Sequence, residues 1–365
     1  TALSGIAGSF GAMIVYRLGV GVGEASAAPA ANSLIGDLFR PTQRARAISI
    51  FMLGVPLGIG ASSLISGFVT QATGNWRSAL FVAAIPGLIL GALALRLPEP
   101  ARGASDPGLA IGTRSAFESI AMVLRIPTMR WIIVSGALLN ILAYVLPGFL
   151  ASYFIRYHGL NIDGANRFAS VILGVGGAIG MLGGGWLGDR LALRSPRARL
   201  SLGAITSAMI APALAMALQQ SRGEYWPFAS WMMVASIALF AYYSCVYATI
   251  ADIVEPRMRG TAMSVYFFVF YIFTAIGLAL FGKLSDLRAG VALSAGVAAA
   301  DARALGLREA LLSLPAVSLL LAIVLYFASR RVNEDHAKAR GGIVSGQPAV
   351  DAAGGLRVAA GAAQP

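Results

Sequence analysis

Nine stretches of this chain are each long and apolar enough to cross a bilayer, and no other feature limits its fold so tightly. They lie at 11–37, 45–71, 76–97, 128–156, 166–188, 200–219, 226–253, 260–284 and 307–330. A span needs about 20 mostly apolar residues to cover the hydrocarbon core. The runs are continuous and show no apolar/polar alternation. They therefore fit helices, which pair their own backbone groups, rather than barrel strands. Of the 365 residues, 57% are hydrophobic and 12% charged, with a mean hydropathy of +0.74. Soluble domains carry roughly 25% charged residues. The expected fold class is an all-α membrane protein. Residues 1–9, TALSGIAGS, resemble the last turns of an earlier span, and the chain starts with Thr. We expect a fragment of a longer gene product.

The net charge of +12 suits basic loops that set topology. It does not suit nucleic-acid binding, because the Lys and Arg residues are scattered between apolar blocks rather than gathered on one face. About 19 of the 28 fall in or beside 38–46, 96–130, 190–199, 257–259 and the tail after 330. By the positive-inside rule these are cytoplasmic. The C-terminus is expected inside, in a multi-pass protein of the cell (inner or plasma) membrane. One cysteine, Cys245, rules out an intrachain disulfide and a multi-thiolate metal site. His158 and His336 have no partner at metal-ligand spacing, and no cofactor is expected. His158, in RYHGLN, reads as the water end of a span. No signal peptide pattern is visible.

The segment YRLGVGVGEASAAPAANSLIGD, 16–37, avoids charge except at Arg17, Glu24 and its final Asp37. Ionisable residues at membrane depth usually face a bundle interior or a watery cavity and mark transport pathways. Seven residues are two turns, so the two side chains share a face about 10 Å apart along the axis. Helical side chains lean toward the N-terminus, which carries Arg17 away from Glu24. Each needs another partner. Gly19, Gly21 and Gly23 permit close helix approach; with no preceding strand they are not a nucleotide loop. The row Gly176, Gly180, Gly184, Gly188 makes one smooth helical stripe and reads as packing.

IGDLFRPTQRARAISIF, from Ile35, matches IADIVEPRMRGTAMSVY, from Ile250, at an offset of 215. The shared positions include Asp37/Asp252, Pro41/Pro256 and Arg44/Arg259. Same-direction repeats are one way transporters are built. We expect the repeated Asp and Arg to act structurally or as a gate. At the same offset Arg17 corresponds to Met232 and Glu24 to Leu239, so the second copy builds this helix without charge. The repeat also implies that about 90 residues, nearly three spans, are missing before this chain. The expected organisation is 1–97 as the rest of a first half, 98–127 as a cytoplasmic linker, 128–331 as a six-helix second half and 332–365 as a disordered tail. In the linker Phe117, Ile120, Val123 and Leu124 recur at helical spacing, as in a helix lying on the membrane surface.

These residues resemble the major facilitator superfamily. GGWLGDRLALRSPRAR, 184–199, resembles its inner-loop signature G-x-L-x-D-R, on Gly185, Leu187, Asp189 and Arg190. RLGVGVGEASAAPAANSLIGDLF followed by RARAISIFMLGVPLG resembles the spinster-like branch, whose members resemble lipid and lysolipid transporters. The resemblance covers 1–330. It implies a major facilitator-type bundle with about nine of twelve helices present. It also implies a gate at Asp189 and Arg190, and proton coupling through Glu24 with an acidic residue of the first helix. GVPLGIGASSLISG departs from the family's antiporter pattern, since Pro56 precedes Gly58. Arg194, Arg197 and Arg199 read as positive-inside anchors. The cavity is expected to draw on Asn140, Tyr144, Tyr243, Tyr247 and Tyr266, because a phenol offers an apolar ring with one polar tip.

The function expected is a secondary active transporter, an alternating-access monomer moving a lysolipid, sphingolipid-like or other amphipathic organic anion, or another small-molecule or lipid-like substrate, with protons. A membrane-embedded lipid-modifying enzyme or a non-transporting receptor is the alternative. No span holds a paired acid/base constellation or H-E-x-x-H, and no Walker pattern exists.

Overall fold

The computed structural model describes residues 1–39, 41–96, 116–254 and 258–345. Among them there is no β-strand. The helices are α1 (Phe10–Leu38), α2 (Pro41–Thr73), α3 (Trp76–Ala94), α4 (Ala116–Arg125), α5 (Pro127–Arg156) and α6 (Ile162–Ala192). They continue as α7 (Pro196–Leu218), α8 (Tyr225–Ile253), α9 (Arg259–Ser294), α10 (Ala299–Leu311) and α11 (Leu314–Ser345). Eight stretches of the described residues are long and apolar enough to span a membrane, with α10 and α11 counted together. The protein is an all-helical, multi-pass membrane protein.

Local sequence sets where the helices begin. The Ser9 hydroxyl accepts from the Ala12 amide at 3.1 Å, Asn75 from Arg77 at 3.0 Å and Asn161 from Gly164 at 2.7 Å. Each pairs one amide of a first turn that has no partner within its helix. Pro127 and Pro196 occupy first-turn positions of α5 and α7, where a missing N–H is harmless. The caps of these two helices come from far along the chain. Asp335 on α11 accepts from the Thr128 amide at 2.9 Å, and Asn333 accepts from the Arg197 amide at 3.2 Å. The C-terminal helix therefore closes the ends of two other helices.

This corrects the expectation of a disordered tail from 332. The chain is helical to Ser345, because its polar residues find partners on α5 and α7 that hydropathy does not reveal. Residues 97–115 and 346–365 lie outside the described residues. The amphipathic helix expected in the linker is α4. Its Val123 is fully buried and packs with α5 and α9, while Phe117 is exposed.

The core sits among α5–α11. The glycine row of α6 packs as expected: a Cβ at Gly180 would lie 2.2 Å from the Ile237 carbonyl oxygen of α8, and one at Gly184 would lie 2.7 Å from the Ala241 Cα. Such contact is how helices adhere in lipid. The residues Val171–Val175 of α6 form a π-helical turn. At 36 residues α9 is about 54 Å long and outruns the membrane. Beyond it α9 packs on α10, where Gly306 admits the α9 backbone at Ala289. The spans read as 260–284 and 307–330 thus extend well past their apolar cores. Helices α1–α3 meet the rest chiefly along α2 and α6.

His158 lies just past the end of α5, where a span end is expected, but it is buried. It is 7% exposed, enclosed by the rings of Tyr153, Phe154, Tyr157 and Phe228 at centroid distances of 5.5, 6.1, 5.2 and 4.9 Å. Both ring nitrogens are buried without a partner. Burial pulls its imidazole from 6.5 down to about 4, against a smaller opposing pull from Glu224.

Asp335→Ala removes a buried cap and lowers stability by about 1–2 kcal/mol, seen as a reduced thermal midpoint in detergent, whereas Glu334→Ala on the exposed face leaves it unchanged. For His158, the unfolded imidazole takes up its proton at higher pH than the folded one. Stability is therefore full above 6.5 and falls as the pH drops from 6.5 toward about 4. Thermal midpoints measured across that window should slope for the native chain and flatten for His158→Phe.

Candidate functional site

One cluster of buried polar groups lies on α5, α8 and α9. The Asn140 amide donates to the Phe270 carbonyl oxygen and to the Thr274 hydroxyl. Its own oxygen is buried without a partner. The Ser135 and Tyr242 hydroxyls are 2.7 Å apart, and Tyr242 reaches the Tyr266 hydroxyl at 3.3 Å. Tyr243 and Tyr247 meet edge to face at 5.6 Å, and Tyr247 and Tyr266 at 5.8 Å. Tyr144 sets its edge on Phe270 at 6.3 Å.

The five residues expected to line a cavity thus come together, but they differ in exposure. Tyr144 is exposed and Tyr247 half-buried, while Asn140, Tyr243 and Tyr266 are buried. Tyr266 lies against Gly136, where a Cβ would sit 2.4 Å from its ring. It fills the space of a missing side chain instead of facing an opening. Sequence reasoning missed Tyr242, which joins the hydroxyl chain, and Tyr271, which is exposed beside Tyr144. Adjacent tyrosines carry no periodic cue to which of them points inward.

Arg17 and Glu24 are both exposed on α1 and form no ion pair with each other or with another described residue. The Glu24 carboxylate lies within electrostatic reach of the Tyr144 hydroxyl on α5. Their counterparts in the repeat, Met232 and Leu239, are buried in the α5–α11 core.

At the far end of α6, Asp189 and Asp252 converge on one guanidinium. Arg199 Nη2 is 2.7 Å from Asp189, and its Nη1 binds Asp252. Arg199 is 13% exposed at its side chain, against 74% for Asp189 and 42% for Asp252. A cation of one helix here links the ends of two others. This corrects the reading of Arg199 as a mere anchor. Gly188 leaves room for its stem, at 3.5 Å. Arg190 stands apart, stacked 3.9 Å over Trp186. Gly185 faces Ser244 on α8, and Arg259 opens α9. The side chains of Asp37 and Arg44 lie outside the described residues. Among the described residues no three His, Cys, Asp or Glu side chains gather as a metal site would require.

The Major Facilitator Superfamily model matches residues 1–278. The chain belongs to the Major Facilitator Superfamily. Within the superfamily several of its relatives are spinster proteins. It is 29% identical over 292 residues to protein spinster homolog 3 of Danio rerio, covering 76% of this chain and 58% of that one. An MFS-type efflux pump of Mycolicibacterium smegmatis is 27% identical over 347 residues, covering 92% of this chain and 75% of the pump. The sphingosine-1-phosphate transporter SPNS2 of Danio rerio is 36% identical over 107 residues, covering 29% and 21%. The chain thus spans from about a fifth to three quarters of these relatives. Among solved structures it resembles a bacterial homolog of the human lysosomal transporter spinster, in an inward-facing and unoccupied conformation. That match has a TM-score of 0.78 at 25% identity and covers 92% of this chain and 81% of that one.

In this superfamily member the Arg199 cluster should respond unequally to loss of its members. Arg199→Gln leaves two carboxylates facing each other and lowers the thermal midpoint most. Asp189→Asn, at the exposed edge, removes a contact of about 0.2–1 kcal/mol and lowers it least. Unfolding in detergent of the three single variants, with Asp252→Asn between the others, checks the order.

Proposed function

We propose that this protein is a secondary active transporter that works by alternating access, coupled to protons through Glu24, with a lysolipid, sphingolipid-like or other amphipathic anion as cargo. The carrying observation is that Glu24 stands exposed on α1 within electrostatic reach of Tyr144, on the face where α5 and α9 present exposed phenols. A carboxylate there can hold or release a proton, and the neighbouring rings offer apolar surface with polar tips. Arg17, two turns away, supplies a cation for an anionic headgroup. The internal control supports a functional role: the repeat keeps the helix and replaces both charges with buried Met232 and Leu239.

The spinster likeness and the name of SPNS2 as a sphingosine-1-phosphate transporter favour a lipid-like cargo. The organisation we infer is two halves, 1–97 and 128–331, joined by 98–127. The Arg199 cluster sits at the cytoplasmic end and acts with Arg190, Arg259, Asp37 and Arg44 as the inner gate. The C-terminus lies in the cytoplasm and the protein works as a monomer.

Proteoliposome flux of a lysolipid, with and without an imposed pH gradient, tests this. Gradient-driven accumulation should fall to the level of empty vesicles in Glu24→Gln, while counterflow without a gradient persists. Equal gradient dependence in native and variant protein would sink the coupling role. Turnover of the lipid by protein in detergent would favour an enzyme.

A further inference from the structure

Helices α2 and α6 meet through backbone at Gly60 and Gly174. A Cβ built on Gly60 of α2 would lie 2.7 Å from the Gly174 Cα and 3.0 Å from the Ser170 carbonyl oxygen of α6. One built on Gly174 would lie 3.0 Å from the Gly60 Cα and 3.6 Å from the Pro56 carbonyl oxygen. Real Cβ atoms essentially never come as close as 2.7 Å, so alanine at Gly60 requires the helices to part, while alanine at Gly174 requires the facing backbone to give by a few tenths of an ångström. Neither glycine has a positive φ; among the described residues only Gly74, Gly159, Gly223 and Gly296 do. Contact, not backbone conformation, accounts for glycine at both positions.

A second observation marks the same place. Gly174 lies within the π-helical turn Val171–Val175. A π turn inserts one residue and rotates the rest of its helix, and such turns concentrate at functional positions. Here the widened turn sets Gly174 against Gly60. On one side of this point, a Cβ at Gly67 would lie 2.5 Å from the Asn166 Cβ. On the other, a Cβ at Gly177 would lie 2.6 Å from the Pro56 Cβ. The three contacts keep register along the crossing. Contact is dense from Ile162 through the π turn and thins over the rest of α6. Gly54 and Gly58, on the same helix α2, have nothing within 4 Å.

We propose that the Gly60–Gly174 contact at the π turn is the latch that holds the Ile162 end of the protein closed, and that its closeness sets how much of the population is in this closed form. The proposal rests on the alternating-access reading above. Two backbones in direct contact leave no side chain that can adjust, so the seam either seats fully or separates. A methyl group on either partner keeps the helices apart and favours the form open at this end.

Spin labels on Gln71→Cys and Ile162→Cys, at the ends of α2 and α6 beyond the Gly67–Asn166 contact, report the opening. The background is Cys245→Ser and the protein is held in lipid nanodiscs. Double electron–electron resonance of the native sequence should give a short and a long distance. Gly60→Ala and Gly174→Ala should each raise the long-distance fraction relative to the short one at least about fivefold. Gly58→Ala should match the native distribution. Either latch variant suffices if the other does not fold. Two distances in the native protein with unchanged ratios in both variants overturn the latch alone. A single distance at every pH and lysolipid concentration overturns the latch together with alternating access.

Discussion

Close approach of helix backbones is the interaction on which the rest of this structure depends. Lipid tails are as apolar as leucine, so burying apolar surface does not pull spans together there as it does in water. What remains is van der Waals contact over as much backbone as geometry permits. The α5–α11 bundle uses this repeatedly. Gly180 and Gly184 seat α6 on α8, Gly306 seats α10 on α9, and Gly136 receives the ring of Tyr266. In each case a missing side chain on one helix is filled by backbone or a ring from its neighbour. The tyrosine hydroxyl chain from Ser135 through Tyr242 to Tyr266 is assembled by this packing, since Tyr266 reaches its partner only because residue 136 has no Cβ.

Within such packing, the placement of charge separates two kinds of helix. In the described part of the α5–α11 bundle, the ion pairs lie beyond the apolar cores of the spans. Arg199 joins Asp189 and Asp252 at one end; Arg222 pairs with Asp301, and Arg308 reaches the Leu218 carbonyl oxygen, at the other. On α1 the pattern breaks, and an arginine and a carboxylate stand two turns apart on an exposed face of an otherwise apolar helix. A helix that only needed to pack would resemble its own repeat, with Met232 and Leu239 buried.

The spans are legible in the sequence because hydrocarbon thickness imposes a length and a hydropathy that any sequence must meet. The packing role of the α6 glycines is legible from their four-residue spacing. Three features are not. The helical run to Ser345 is polar, and its order comes from Asp335 and Asn333 capping helices 207 and 136 residues away in sequence. The π turn at Val171–Val175 sits in a glycine-rich apolar run, where Gly174 looks like any other packing glycine and does not announce it. Arg199 looks like one basic residue among several, and only the meeting of α6, α7 and α8 distinguishes it from Arg194. Of the residues named for the cavity, Tyr144 reaches an exposed surface and Tyr266 does not. Aromatic composition identifies the wall but not which rings are its bricks and which its lining.

The two ends of the α5–α11 bundle are held by different chemistry. At the Ile162 end, His158 is enclosed by four rings, and Arg222 and Arg308 lie over Tyr157 at 5.4 and 5.9 Å. Most of that energy is dispersion and cation–π attraction around buried groups, which salt screens weakly. At the other end, a buried guanidinium holds two carboxylates that remain substantially in water, and exposed pairs of this kind are weak and screened. The charged end is fastened by more than screened ions, since the buried Asp335 cap of α5 and the Asn333 cap of α7 lie there too, and the aromatic end adds the Arg222–Asp301 pair to its rings.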